Sequence, residues 1–367
     1  MTARGRRPNV KLRADPDPLQ LPAFLQKVCE QPERSLIMLD FDGTISEIVD
    51  DPACARPLPG APELLRCLVE SFGLVAIVSG RPISFLLDRL HLTGQVAEKA
   101  AGQAAADQAA ADQAAGGQAA GGQAADGAAD QAADEAATDQ AAASKSMVEA
   151  AKGLVLVGSH GLEMWTYASG AQVSDVDGRQ VSGDWVEILG ALEATARAEL
   201  GNAVLVENKR LGLTLHWRMR PDMEAVAVEL AQRLASEYGV VPHSGHMCIE
   251  LRPAMSPSKG DAVRQLLRLP LRSKASSAGR AQTSLDGEVG SAVYVGDDVG
   301  DLDAFRALDR SADEAGLYRV KVAVGGPEAP AELLSEADLV VDGPWQVMQL
   351  LEALCSAAQH VSTGGHS

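Results

Sequence analysis

Short runs of almost unbroken apolar residues recur along the chain, separated by longer stretches with helical periodicity. The apolar runs are SLIMLD (35–40), GLVAIVS (73–79), LVLVG (154–158), AVYVG (292–296), KVAV (321–324) and DLVVD (338–342). A strand covered by helices on both faces needs apolar side chains at successive positions, so these runs predict a buried parallel sheet. Amphipathic patterns lie between many of them: APELLRCLVE, ISFLLDRL, KGDAVRQLLRL, DLDAFRAL and WQVMQLLEAL. Alternation of strand and helix predicts an α/β fold with a doubly wound parallel sheet. The polar segments DFDGT, SGR, GSHG and GDD each follow a strand, and that edge of an open α/β sheet is where ligands bind.

Residues 166–247 follow a different pattern. WVEILGALEATARAEL and PDMEAVAVELAQRLASEYG predict two amphipathic helices. LGLTLHWR places Leu211, Leu213, Leu215 and Trp217 in alternation with Gly212, Thr214, His216 and Arg218, the period of a half-exposed strand. With AVLVEN, GVVPH and MCIELR this predicts two helices on an antiparallel sheet: a cap domain over 166–247, inserted in a core of 21–165 and 248–360.

Composition changes this picture in one place. Residues 101–140 hold 19 Ala, 7 Gln, 6 Gly, 6 Asp, one Glu and one Thr, in a loose Q-A-A-x-x repeat. Such a tract buries too little apolar surface to offset chain entropy. It is expected as a disordered insert over about 98–148, or alternatively as a partner-binding tract. The tract carries −7 of the chain's −18, so the rest of the 367 residues holds −11. An acidic chain repels nucleic acid and anionic membranes. The only basic run, RGRRPNVKLR, falls in residues 1–20, expected as a disordered tail. No apolar stretch approaches the roughly 20 residues that span a bilayer, and nothing resembles a signal peptide. Five scattered cysteines without a C-x-x-C pair fit reduced thiols in the cytoplasm.

The strongest chemical signal is LDFDGT. Asp40 and Asp42 are two apart at a strand end, so both can face one way. Gly43 permits a tight turn and Thr44 offers a hydroxyl. Ser79, Gly80 and Arg81 follow the second strand, and Lys259 opens a helix. Asp297, Asp298 and Asp301 cluster after a later strand, and clustered carboxylates repel unless a cation such as Mg²⁺ holds them. Read singly, these are also a surface turn, a strand-end cap, a solvated lysine and a helix N-cap.

In this order the segments resemble the motifs of the haloacid dehalogenase superfamily. GSHGLE (158–163), VENK (206–209), LTLHWR (213–218) and IELRP (249–253) followed by SKG narrow the resemblance to the trehalose-6-phosphate phosphatase family. Trp217 stands where that family usually has Tyr. Gly300 and Leu302 stand where its aspartate-rich motif usually has Thr and Glu.

The resemblance implies a Mg²⁺-dependent hydrolysis of trehalose 6-phosphate through an aspartyl-phosphate on Asp40, with Asp42 as acid and then base. It implies Thr44, Ser79, Gly80, Arg81 and Lys259 around the phosphate, and a metal set of Asp40, Asp42 (through its carbonyl), Asp297, Asp298 and Asp301. For the sugar it implies Glu207, Lys209 and Glu250, then His160, Arg218 and Arg81. Glu207 and Lys209 could instead form an exposed ion pair of little energetic value. A separate trehalose-6-phosphate synthase would be the pathway partner. Two alternatives remain: a related phosphatase for another sugar phosphate, and a catalytically silent sugar-phosphate sensor.

Overall fold

The computed structural model describes residues 10–11, 21–92, 153–166, 174–175, 183–209, 211–245, 247–254, 256–271 and 288–364. The insert expected at 98–148 lies outside them, as do most of the tail expected at 1–20 and residues 272–287.

In chain order the strands are β1 (Val10–Lys11), β2 (Ser35–Leu39), β3 (Leu74–Val78), β4 (Leu154–Gly158), β5 (Glu163–Thr166), β6 (Ser174–Asp175), β7 (Leu205–Asn208), β8 (Leu213–His216), β9 (Val240–Gly245), β10 (Cys248–Pro253), β11 (Ser291–Gly296), β12 (Tyr318–Gly325) and β13 (Leu339–Asp342). The helices are α1 (Ala23–Gln26), α2 (Ala61–Ser71), α3 (Ile83–Arg89), α4 (Gly183–Leu200), α5 (Glu224–Tyr238), α6 (Lys259–Leu266), α7 (Val299–Ala315), α8 (Ala331–Glu336) and α9 (Gly343–Gly364).

The larger sheet has the order β1-β13-β12-β11-β2-β3-β4-β5-β6. It is parallel from β1 to β4, and β5 and β6 are added antiparallel. The apolar runs become its strands because both faces are covered. Ile37 and Leu39 enter one core with α2, α3 and α9, whereas Leu36 and Met38 enter the other with α6, α7 and α8. Side chains alternate across the pleat, so one continuous apolar run serves two cores. One expectation is corrected: Val10–Lys11, inside the expected tail, pairs with Leu339 and Val340 as an edge strand. The sheet is mostly parallel, as expected, and a hairpin that places Glu163 opposite Gly158 adds its antiparallel edge.

The second sheet, β7-β8-β10-β9, is antiparallel. Trp185, Leu192, Leu213, Leu215, Trp217, Leu230, Leu234 and Leu251 form its core with α4 and α5. The Trp217 aromatic ring is therefore a packing residue of this layer. β10 pairs on both sides within the sheet, so the cap runs to Pro253 and not to the expected 247. Its N-terminal bound also shifts, because β6 at Ser174–Asp175 still belongs to the large sheet.

Candidate active site

β2 and β11 are neighbours in register, Leu39 opposite Val295, so the residues that follow them emerge side by side. The Asp40 amide donates to the Val295 carbonyl at 2.9 Å and its carboxylate is buried. Gly43 has a φ of 70°, and a Cβ there would lie 2.0 Å from Asp297 Oδ2. No residue but glycine lets the DFDGT turn close onto Asp297. Asp40, Asp297 and Asp301 can each bring a carboxylate oxygen within 4.8 Å of the others.

Two capping boxes fix the other polar groups. Ser258 caps α6 with Asp261, which presents Lys259 from the first turn into the cluster. Lys259 Nζ lies 2.8 Å from Asp301 Oδ1, 3.1 Å from Asp40 Oδ1 and 3.4 Å from Asp298 Oδ1. Asp298 caps α7 with Asp301. Asp301 is saturated: Lys259 and the Tyr294 hydroxyl donate to Oδ1, and the amides of Asp297 and Asp298 donate to Oδ2. The N-cap role raised for Asp301 in fact falls to Asp298, and Asp301 is its reciprocal partner three residues on. Leu302 is buried in the core, so the departure from Glu there faces away from the cleft. Gly300 lines the cleft, where a Cβ would stand 3.1 Å from Asp298 Oδ1.

Burial and the surrounding Asp301, Asp298 and Asp297 push the Asp40 carboxyl well above the usual range, against the pull of Lys259. Burial likewise pushes Asp301 up to about 7. Burial works against the Lys259 charge, but Asp298, Asp301 and Asp40 outweigh it and hold the ammonium protonated. This is a cluster short of positive charge, and its all-oxygen donors suit a hard cation. Thr44 is fully buried, and its Oγ1 has no hydrogen-bond partner, an orphan that a bound oxyanion would satisfy.

Arg81 forks onto Asp42, Nε to Oδ2 at 2.7 Å and Nη2 to Oδ1 at 2.9 Å. Its guanidinium lies over the Phe85 ring, 4.7 Å from the centroid. Ser79 Oγ accepts from the Arg81 amide at 3.1 Å. A Cβ on Gly80 would meet the His160 ring at 2.7 Å, so glycine is what lets that imidazole sit against the SGR turn. Ser159 and His160 both adopt left-handed backbone, with φ of 49° and 59°, a conformation that costs energy for non-glycine residues.

The cap sheet turns its polar face onto this floor. Register aligns Glu207, Thr214, Glu250 and His243 in one row across β7, β8, β10 and β9. Glu207 pairs with His216 at 2.8 Å and Arg81 at 3.6 Å; Glu250 pairs with His160 at 2.8 Å and Lys209 at 3.8 Å. Burial alone would raise both carboxyls. For Glu207 the His216 hydrogen bond and the charges of Lys209 and Arg81 outweigh it; for Glu250 Lys209, His160 and Arg252 do, and both stay below the usual range. Gly212 makes room, since a Cβ there would stand 2.8 Å from Glu250 Oε1. Thr214 is fully buried with Oγ1 unpartnered. Floor and roof enclose a cavity of about 390 Å³.

The expected residues thus converge, with one difference. Arg218 lies at the rim, where both its terminal nitrogens bond Glu328 beyond β12, at 2.9 and 2.8 Å. Lys209 lines the cleft and Glu207 lies beside it against Lys209, Arg81 and His216, so they are not an exposed pair. Residues missed from sequence are Thr214, His216, His243, Arg252 and Glu328. The alternation in LGLTLHWR put Thr214 and His216 on the polar face, but nothing local aligned them with Glu250 or His243.

A family model described as trehalose-phosphatase matches residues 38–94 and 137–334, more than half of the chain. A trehalose-phosphate phosphatase of Mycobacterium leprae is 27% identical over 330 residues, which is 87% of this chain and 57% of that protein. One from Mycolicibacterium paratuberculosis is 25% identical over 321 residues, 87% of this chain and 61% of that protein. The chain therefore spans little more than half the length of these relatives. The solved C-terminal domain of C. albicans trehalose-6-phosphate phosphatase superimposes with a TM-score of 0.60 at 22% identity, covering 91% of this chain and 95% of that one.

Proposed function

The chain belongs to the trehalose-phosphatase family, and from that premise we propose that it is a Mg²⁺-dependent phosphatase that releases inorganic phosphate from trehalose 6-phosphate. The observation that carries this reading is the division of the cleft: a carboxylate floor with one buried lysine beneath a self-neutralised polar roof, around a space of disaccharide size.

Asp40 is the nucleophile and its carboxylate takes the phosphoryl group as an aspartyl-phosphate. Lys259 and the orphan Thr44 hydroxyl hold the phosphoryl oxygens with Ser79 and the Gly80 backbone. Asp42 protonates the departing sugar oxygen and later takes a proton from the attacking water. Both Asp42 oxygens are engaged by Arg81, so the proton-carrying form requires Arg81 to turn toward the phosphate. Asp40, Asp297 and the Asp42 carbonyl would hold the cation, with Asp298 supporting it. The cation would offset the negative charge that otherwise keeps an anionic nucleophile from an anionic ester. Asp301 is a positioning residue, since its donors already fill both oxygens. Glu207, Glu250, Lys209 and Thr214 bind sugar hydroxyls, His160 and His216 orient the two carboxylates, and Arg218 closes the rim.

The test is magnesium-dependent phosphate release over a panel of mono- and disaccharide phosphates. Turnover concentrated on trehalose 6-phosphate supports the reading. Clear turnover of another member with failure on trehalose 6-phosphate replaces the substrate. Binding of a sugar phosphate with no turnover of any member makes the chain a sensor.

A further inference from the structure

On the face of the large sheet that packs α2 against α9 lie three of the chain's five cysteines: Cys67 on α2, Cys355 on α9 and Cys29 beside them. None takes part in the chemistry above. Gln359 Nε2 donates to the Cys67 sulfur at 3.4 Å, and the Cys355 thiol and the Ser71 hydroxyl one turn on are its neighbours. Gln359 lies one turn after Cys355, so a single face of α9 carries both of these groups against Cys67. Cys67 is partly exposed, whereas Cys355 is buried behind it. A half-open sulfur that accepts from an amide, with a second thiol beside it on the facing helix, is the arrangement of an attacking and a resolving cysteine.

We propose that Cys67 and Cys355 are a peroxide-sensitive thiol pair that closes to a disulfide, stapling α2 to α9. In the first step the Cys67 thiolate attacks a hydroperoxide oxygen. The O–O bond breaks, the sulfur keeps one oxygen as sulfenic acid, and the other leaves as hydroxide that is protonated to water or alcohol. In the second the Cys355 sulfur attacks the Cys67 sulfur. The S–O bond breaks, and the departing hydroxide takes the Cys355 proton as water. The hydroperoxide is reduced and two thiols are oxidised to one disulfide. The sulfurs then close to the ~2.05 Å of an S–S bond.

The other thiols do not compete. The Cys355 hydrogen bond, aided by Ser71, lowers the Cys67 thiol to about 7. Burial pushes Cys29 up to about 11, and its S–H is aimed at the Leu354 carbonyl. Burial pushes Cys248 up to about 12. Cys54 is exposed, and its thiol donates to Asp51 and not to another cysteine.

The test treats the full chain with hydrogen peroxide, then denatures it, counts free thiols and maps cross-linked peptides. The count should fall from five to three, with one peptide pair joining 67 to 355, reversed by dithiothreitol. Cys67→Ser should keep its four remaining thiols and, without oxidant, turn over substrate as the parent does. Brief peroxide treatment of the unsubstituted chain with dimedone should trap the sulfenic acid at Cys67, a readout independent of any variant's folding. The oxidised chain should melt at higher temperature than the reduced one, because the cross-link restricts the unfolded state. Equal thiol loss in Cys67→Ser, a cross-link through Cys54 or Cys29, or dimedone on another cysteine would each overturn the proposal.

Discussion

The floor and roof of the cleft are both rich in buried carboxylates, yet burial has opposite outcomes in them. On the floor Asp40, Asp42, Asp297, Asp298 and Asp301 face two cations, Arg81 and Lys259, and the carboxyls of Asp40 and Asp301 are pushed up. On the roof Glu207 and Glu250 face Lys209 and Arg252 with histidines at 2.8 Å, and both are held down. Desolvation acts on all four of these shifted carboxyls, so the difference comes from the count and placement of partners. On the proposed function, a floor short of positive charge suits a cation and a phosphoryl group, and a roof that neutralises itself suits hydroxyls, which carry no charge. Capped helix termini and strand ends build the first; cross-strand register builds the second.

Breaking the floor has the largest effect. Asp40→Asn should reduce turnover by on the order of 10⁴-fold or more with an unchanged circular dichroism spectrum; retained turnover would remove Asp40 as nucleophile. Chelation of divalent cations should abolish phosphate release, and added Mg²⁺ should restore it. Breaking the roof should cost less and show in a different quantity. Glu207→Gln or Lys209→Ala should lower kcat/KM for the sugar phosphate by about 10–10²-fold, the range of a hydrogen bond to a charged group. Both should act chiefly through KM, because the reacting atoms lie on the floor.

At the rim the Arg218–Glu328 pair ties roof to floor while partly open to solvent. Glu328→Gln should raise KM about two- to five-fold at most, an effect that shrinks with added salt; a salt-independent loss of kcat would show that Glu328 does more than hold the rim. The smallest effect is a pH dependence confined to the roof. Burial first, and then Arg252, lower His243 from its ordinary 6.5 to about 4. Between those values the unfolded chain binds a proton that the folded chain refuses. Stability is therefore lost as pH falls from 6.5 toward 4, and His243→Gln should flatten that part of the melting curve.

The floor was legible in the sequence because its parts are local. DFDGT, SGR and GDD each sit directly after an apolar run, and Ser258-Lys259 opens an amphipathic stretch, so the chain itself joins the chemistry to the strand end. The roof was half legible. Glu207, Lys209 and Glu250 came from motif resemblance, but Thr214 and His243 join them only through pairing across four strands, which no spacing encodes. Arg218–Glu328 bridges 110 residues and leaves no local trace. The edge strand at Val10–Lys11 carries no strand-length apolar run, and its place beside β13 comes from strand pairing with Leu339 and Val340. Leu302 shows the converse: a departure from the motif that looked chemical in sequence is a core residue in the fold.

The central claim is that the roof selects a disaccharide for chemistry performed on the floor. The direct measurement is the ratio of kcat/KM for trehalose 6-phosphate to that for glucose 6-phosphate, with Mg²⁺ present. On the proposed function the second glucose unit lies against the roof, so a ratio of about 10² or more is expected from two or three fixed hydrogen bonds. A ratio near one, or one that favours the monosaccharide, would contradict the account.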